Sequence, residues 1–133
     1  MLLAVEQEHG QADGGQFGEV LLEERHDGCG VIADGDDVGV FVGVGGGGCI
    51  SGITAYLAER TTNTAVLGVE PAGAASMMAA LATGEPVTLD HVDQFVDGAA
   101  VKRAGVLTYA ALAAAGDMVS VTTVDEGAVC TAM

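Results

Sequence analysis

Residues 38–44 read VGVFVGV, a β-branched apolar run of strand length, and pass without a spacer into four consecutive glycines at 45–48. The next stretch, ISGITAYLAER (50–60), sets Ile50, Ile53 and Leu57 at i, i+3 and i+7, the spacing of one helix face. A strand, a glycine turn and a helix in that order have one well-understood physical use. Glycine tolerates positive φ and lets the backbone approach a ligand closely, and the N–H groups that open a helix lack intrahelical acceptors. Together they bind an anion, phosphate above all, with the helix dipole adding about 0.3–1 kcal/mol.

Charge sharpens that reading. Four Lys and Arg stand against 19 Asp and Glu, a net charge of −15. A phosphate site made of main-chain amides is the kind that depends least on basic side chains. The same acidity repels phosphate backbones and anionic headgroups, so neither nucleic acid nor a membrane surface is an expected partner. No apolar run approaches the roughly 18–20 residues of a membrane span, and the opening MLLAVEQE lacks the basic start of a signal peptide. Cys29, Cys49 and Cys130 are odd in number and form no C-x-x-C pair, which fits free thiols in a reducing cytoplasmic setting. His9, His26 and His91 have no second histidine at a helical-turn spacing and no C-x-x-C pair beside them, so no metal site is expected.

Beyond the first helix the pattern alternates. AVLGVE (65–70) is a short strand, and AGAASMMAALATG (72–84) carries Ala74, Met77, Met78 and Leu81 at helical spacing up to a glycine stop. Residues 84–103 have no clean period and read as a loop with a short strand near Phe95 and Val96. GVLTYAALAAAG (105–116) is an alanine-rich helix, DMVSVTTV (117–124) a strand, and Asp125 an N-cap for a helix beginning EGAVC. The order implies an α/β fold, a partial parallel sheet with flanking helices. The last helix reaches Met133 without a closing turn, so the chain is expected to be a piece of a larger domain.

Residues 1–37 differ. Ten of the 19 acidic residues and seven glycines fall there, with no sustained period. They read as an atypical acidic, Gly-rich leader, disordered or foreign to the family of the rest, with one weak helix and one weak strand added to the sheet as the alternative; residues 38–133 read as the domain proper.

The glycine run admits two ligands. Gly43-Val44-Gly45-Gly46-Gly47-Gly48 satisfies G-x-G-x-x-G, and Glu70 closes the next strand at the distance where a carboxylate would meet a ribose, the pattern of an NAD(P)-binding module. A turn that only permits tight packing remains the plain alternative. Other side chains near the turn have quieter readings: Cys49 as a buried small hydrophobe, Met77 and Met78 as core, and Ser51 and Thr54 as helix-start residues able to touch phosphate or merely cap. His91 reads as exposed.

The strings VFVGVGGGGCISGITAYLAE, VLGVEPAGAASMMAAL, GEPVTLDHVDQFVDGAAVKRAG and TVDEGAVCTAM together resemble threonine ammonia-lyase (threonine dehydratase), a pyridoxal-phosphate enzyme of the tryptophan-synthase-β fold type, fold type II. The resemblance implies that residues 38–133 are part of the large cofactor-binding lobe. It implies that Gly45, Gly46, Gly47, Gly48 and the amide of Cys49 wrap the cofactor phosphate, with Gly98, of the Asp97-Gly98 pair, beside the ring. The implied reaction converts L-threonine to 2-oxobutyrate and ammonia, in isoleucine biosynthesis. Some relatives hold a divalent cation through a Glu at the Glu70 position and an Asp six residues on; Ser76 stands there, so no metal is implied.

The same resemblance marks what this chain does not carry. The family's Schiff-base lysine precedes the glycine loop, whereas Lys102, the only lysine, follows it and reads as solvated. The Ser-x-Gly-Asn-His-like segment, the late serine at the pyridine nitrogen and the C-terminal regulatory region are also missing. The chain is therefore expected to bind the cofactor weakly or not at all, to have no catalytic residues of its own, and to be inactive alone. A non-catalytic interaction fragment that docks on a full-length relative is the remaining expectation.

Overall fold

The computed structural model describes residues 23–24, 29–34, 37–60 and 63–132. In chain order these form β1 (Glu23–Glu24), β2 (Cys29–Asp34), β3 (Asp37–Gly43), α1 (Gly48–Ala58), β4 (Thr64–Pro71), α2 (Ser76–Thr83), α3 (Val106–Ala115), β5 (Val119–Val124) and α4 (Glu126–Ala132). One sheet runs in sequence order, β1-β2-β3-β4-β5. The pairs β3–β4 and β4–β5 are parallel, with Val40 beside Val66 and Gly68 beside Val121. The expected parallel sheet with flanking helices is thus present. Cys29–Asp34, within the stretch set apart as a leader, is β2, and it pairs antiparallel with β3 from Cys29–Val42 to Asp34–Asp37. Residues 1–22 lie outside the described residues.

The core follows from period-two alternation on two strands. Val40, Val42 and Val44 turn one way along β3 and its extension, and Val66 and Gly68 turn the same way on β4. Over this face lie Ile50 of α1, Met77 and Ala80 of α2, and Leu112 of α3, in one buried cluster. Burying Ile50 completely contributes about 1.5–3 kcal/mol. α1 packs on β3, β4 and α3, and α2 packs on α3 and β5.

Gly68 is what lets α1 settle. A β-carbon there would stand 2.7 Å from Ile50 Cδ1, 2.8 Å from Val44 Cγ2 and 3.2 Å from Val121 Cγ2. Three branched side chains hemmed by the sheet cannot all retreat. Gly68→Ala is expected to cost about 1–3 kcal/mol, read as a lower urea midpoint at unchanged slope.

Two local expectations fail for identifiable reasons. No strand forms at Phe95 and Val96: Asp93 Oδ1 accepts the Phe95 N–H at 2.9 Å, closing an Asx-type turn, and Asp97–Ala99 continues as a 3-10 turn. The helix expected from residue 72 is split, with a 3-10 turn at Ala72–Ala74 and α2 starting at Ser76. Gly73 is held from both sides there, its N–H by Glu126 Oε1 at 2.5 Å and its carbonyl by the Asp93 N–H at 2.9 Å. Those ties from α4 and the following loop outcompete a continuous helix.

Candidate functional site at the glycine turn

The parallel strands β3, β4 and β5 end at the same edge of the sheet, where open α/β folds place their ligands. β3 gains one last bond as the Val44 N–H donates to Val69 O at 2.9 Å. The chain then turns through Gly45, Gly46 and Gly47 and enters α1 at Gly48. Gly47 caps the helix at φ 90°, ψ 4°, a left-handed conformation that favours glycine. Its carbonyl accepts the Ser51 N–H at 3.0 Å. Space also demands glycine here, because a β-carbon would fall on Met77 Cε and within 2.9 Å of Thr108 Oγ1.

The turn is clamped from one side and open on the other. Gly46 O accepts two hydrogen bonds from the start of α3, from the Gly105 N–H at 3.2 Å and from Thr108 Oγ1 at 2.6 Å. A β-carbon on Gly45 would sit 3.3 Å from Val101 Cγ2 and 3.4 Å from Gly98 O. By contrast, β-carbons on Gly46 or Gly48 would meet nothing within 4 Å. Among the described residues, no acceptor meets the amides of Gly45, Gly46, Gly47, Gly48 or Cys49. Five successive donors at the positive end of an 11-residue helix are a ready anion seat.

The structure therefore brings together the residues singled out in the sequence. Gly45 to Cys49 form the turn and the helix start, and Gly98 lies against Gly45. Cys49 is exposed, not the buried hydrophobe expected; the positions of α1 that turn inward are Ile50 and Thr54. Ser51 Oγ is engaged by Gly48 O at 3.0 Å, and Thr54 is buried on α1 with no partner for its hydroxyl among the described residues. Lys102 is exposed, its carbonyl accepting the Leu89 N–H at 2.9 Å. Thr108 went unnoticed in the sequence. Its partner lies 62 residues away, and nothing in GVLT advertises that contact.

Glu70 has a different task from the one its spacing allowed. It is fully buried, and its two carboxylate oxygens accept the Met77 and Met78 N–H groups at 2.8 Å each. These amides open α2, so the carboxylate caps that helix from the end of β4. Burial pushes its pKa above the ordinary 4.5, against the two amide bonds that pull it down. Fully buried and turned to the opening amides of α2, Glu70 is not presented to a ribose, which counts against the dinucleotide reading.

Two further features lie off the turn. A groove of about 520 Å³ runs between α2, α3 and β5, lined by Met78, Leu81, Tyr109, Leu112, Val119 and Val121. No helix among the described residues is long and apolar enough to cross a membrane.

Comparison with known proteins agrees with the resemblance drawn from the sequence. Residues 22–133 match the family described as pyridoxal-phosphate dependent enzyme. The chain is 85% identical over 104 residues to L-threonine dehydratase biosynthetic of Mycobacterium tuberculosis, covering 78% of this chain and 24% of that protein. It is 84% identical over 94 residues to the Mycobacterium leprae protein of the same name, covering 71% of this chain and 22% of the relative. Among solved structures, the processed form of threonine deaminase isoform 2 from Solanum lycopersicum superposes with a TM-score of 0.61 at 40% identity, over 68% of this chain and 26% of that one. The chain thus spans about a quarter of the length of the curated relatives it matches.

Proposed function

Because the chain belongs to the family of pyridoxal-phosphate dependent enzymes, we propose that its glycine turn is the phosphate seat of a threonine ammonia-lyase. Gly45, Gly46, Gly47, Gly48 and the Cys49 amide hold the phosphate, and Gly98 flanks the ring. Residues 38–133 form part of the cofactor-binding lobe. The reaction of the whole enzyme converts L-threonine to 2-oxobutyrate and ammonia. The observation that carries this reading is the row of five amides without acceptors at a turn whose positive φ and crowding require glycine.

What these residues do follows from their chemistry. Oriented main-chain donors hold a doubly charged phosphate without a basic side chain, which suits a protein of net charge −15. The β3 ladder fixes one end of the turn and α1 the other, so the donors are set before the ligand arrives and ordering costs little on binding. When bound, pyridoxal phosphate supplies an electron sink for negative charge developing at the amino-acid Cα. By holding the phosphate, the turn would fix the position of that ring. The lone lysine, Lys102, is exposed and, among the described residues, bonded only through its backbone carbonyl. We assign it no part in the chemistry, and this 133-residue chain by itself should form no 2-oxobutyrate from threonine. Exposed thiols at Cys49 and Cys130 support a reducing, cytoplasmic setting for the enzyme.

The test uses pyridoxine 5′-phosphate, which carries the phosphate and ring but no aldehyde to react with amines. Titrated into the ¹⁵N-labelled chain, it should shift the amides of residues 45–49 and of Gly98, saturably. Pyridoxine without phosphate should leave residues 45–49 unmoved. Shifts spread elsewhere, or none at the turn, would refute the assignment.

A further inference from the structure

We infer that Thr108 is a positioning residue of the phosphate seat, its hydroxyl fixing the direction in which the Gly47 amide points. The inference rests on the reading of the turn given above and extends it to a residue of α3 that lies outside the turn. A trans peptide is planar, with its C=O and N–H pointing to opposite sides, and no cis bond occurs among the described residues. Whatever holds Gly46 O therefore also aims the Gly47 N–H.

Two donors hold that oxygen. The Gly105 N–H reaches it at 3.2 Å and Thr108 Oγ1 at 2.6 Å, the shorter of the two. The hydroxyl carries one proton, and its other acceptor in range, Gly105 O, is more distant at 3.0 Å. The Gly46 carbonyl is drawn toward α3, so the Gly47 N–H faces away from α3, toward the open side of the turn. Glycine makes such a clamp necessary, because a Gly-Gly peptide can rotate at small steric cost when no hydrogen bond restrains it. Thr108 also closes the space beside Gly47, with Cβ 3.0 Å from where a side chain would start. Gly105 fits the same design: a β-carbon there would come within 2.8 Å of Thr108 Oγ1 and push the hydroxyl off its acceptor.

The consequence is specific. Losing the hydroxyl while keeping the branched shape should weaken phosphate binding without emptying the packing site. Thr108→Val makes that change, and Thr108→Ser restores the hydroxyl with less bulk. Inorganic phosphate is titrated into each ¹⁵N-labelled full chain, and amide shifts at residues 45–49 report binding. Thr108→Val should lower affinity about three- to tenfold, the worth of one hydrogen bond, with the Gly47 amide losing most of its response. Thr108→Ser should bind as the unaltered chain does.

Equal affinities for the unaltered chain and Thr108→Val would overturn the inference, as would a loss in Thr108→Ser as large as in the valine variant. A second measurement needs no variant: scalar coupling across the Gly105 N–H to Gly46 C=O bond should be present in the unaltered chain, and its absence overturns the clamp. If phosphate moves none of residues 45–49 in the unaltered chain, the phosphate seat itself is refuted and the positioning role goes with it. Phosphate binding that ignores Thr108 refutes only the latter.

Discussion

Gly47→Ala should lower stability by about 2–5 kcal/mol and abolish phosphate binding at the turn. Two independent penalties meet at this residue. Its φ of 90° costs an alanine about 1–2 kcal/mol through contact between Cβ and backbone. The added carbon also lands on Met77 Cε and beside Thr108 Oγ1, and overpacking of that kind costs about 1–3 kcal/mol. Gly48→Ala is the matched control, since its β-carbon meets nothing within 4 Å. It should leave the urea midpoint almost unchanged while weakening phosphate binding, because the methyl enters the open side. A Gly47→Ala chain as stable as the parent would show that the turn does not hold the conformation described.

The second large effect belongs to Glu70. Glu70→Ala removes the acceptors of the Met77 and Met78 amides and leaves a void in a fully buried site. Unpaired donors and lost packing together should cost about 2–4 kcal/mol. Glu70→Gln keeps the shape but turns an NH₂ toward one of those N–H groups, so it should destabilise less. Its pH dependence follows from the raised pKa. A carboxyl whose pKa is higher in the folded state contributes stability that is complete below its unfolded value, and the contribution is lost as pH rises through the folded value. The stability gap between the parent chain and Glu70→Gln should therefore be widest near pH 4 and narrow toward pH 7. A gap that widens with pH would mean that the two amide bonds outweigh burial.

How much of this was legible in the sequence depends on the range of the forces involved. β3, α1 and β4 could be read because the β-branched run VGVFVGV, the short apolar AVLGVE and the i, i+3, i+7 set of Ile50, Ile53 and Leu57 are local signals that the core satisfies directly. β2 was obscured by the glycines and acids around CGVIAD, and its place was settled by pairing with β3 instead of by its own pattern. The turn itself was legible because glycine's freedom is a property of the residue. The roles of Glu70 and Thr108 were not. Glu70 sits at a spacing that suits a ribose equally well, and only the return of α2 onto the end of β4 decides its use. The Thr108 contact depends on where α3 crosses the turn, which no short string records.

Met77 belongs to two structures at once. Its N–H ends on the Glu70 carboxylate, and its terminal methyl fills the hollow that the missing side chain of Gly47 leaves. A wedge shared in this way makes the beginning of α2 and the bend before α1 a single mechanical block. Neither can shift without disturbing the other, so a change deep beneath the sheet end would be felt at the glycine turn.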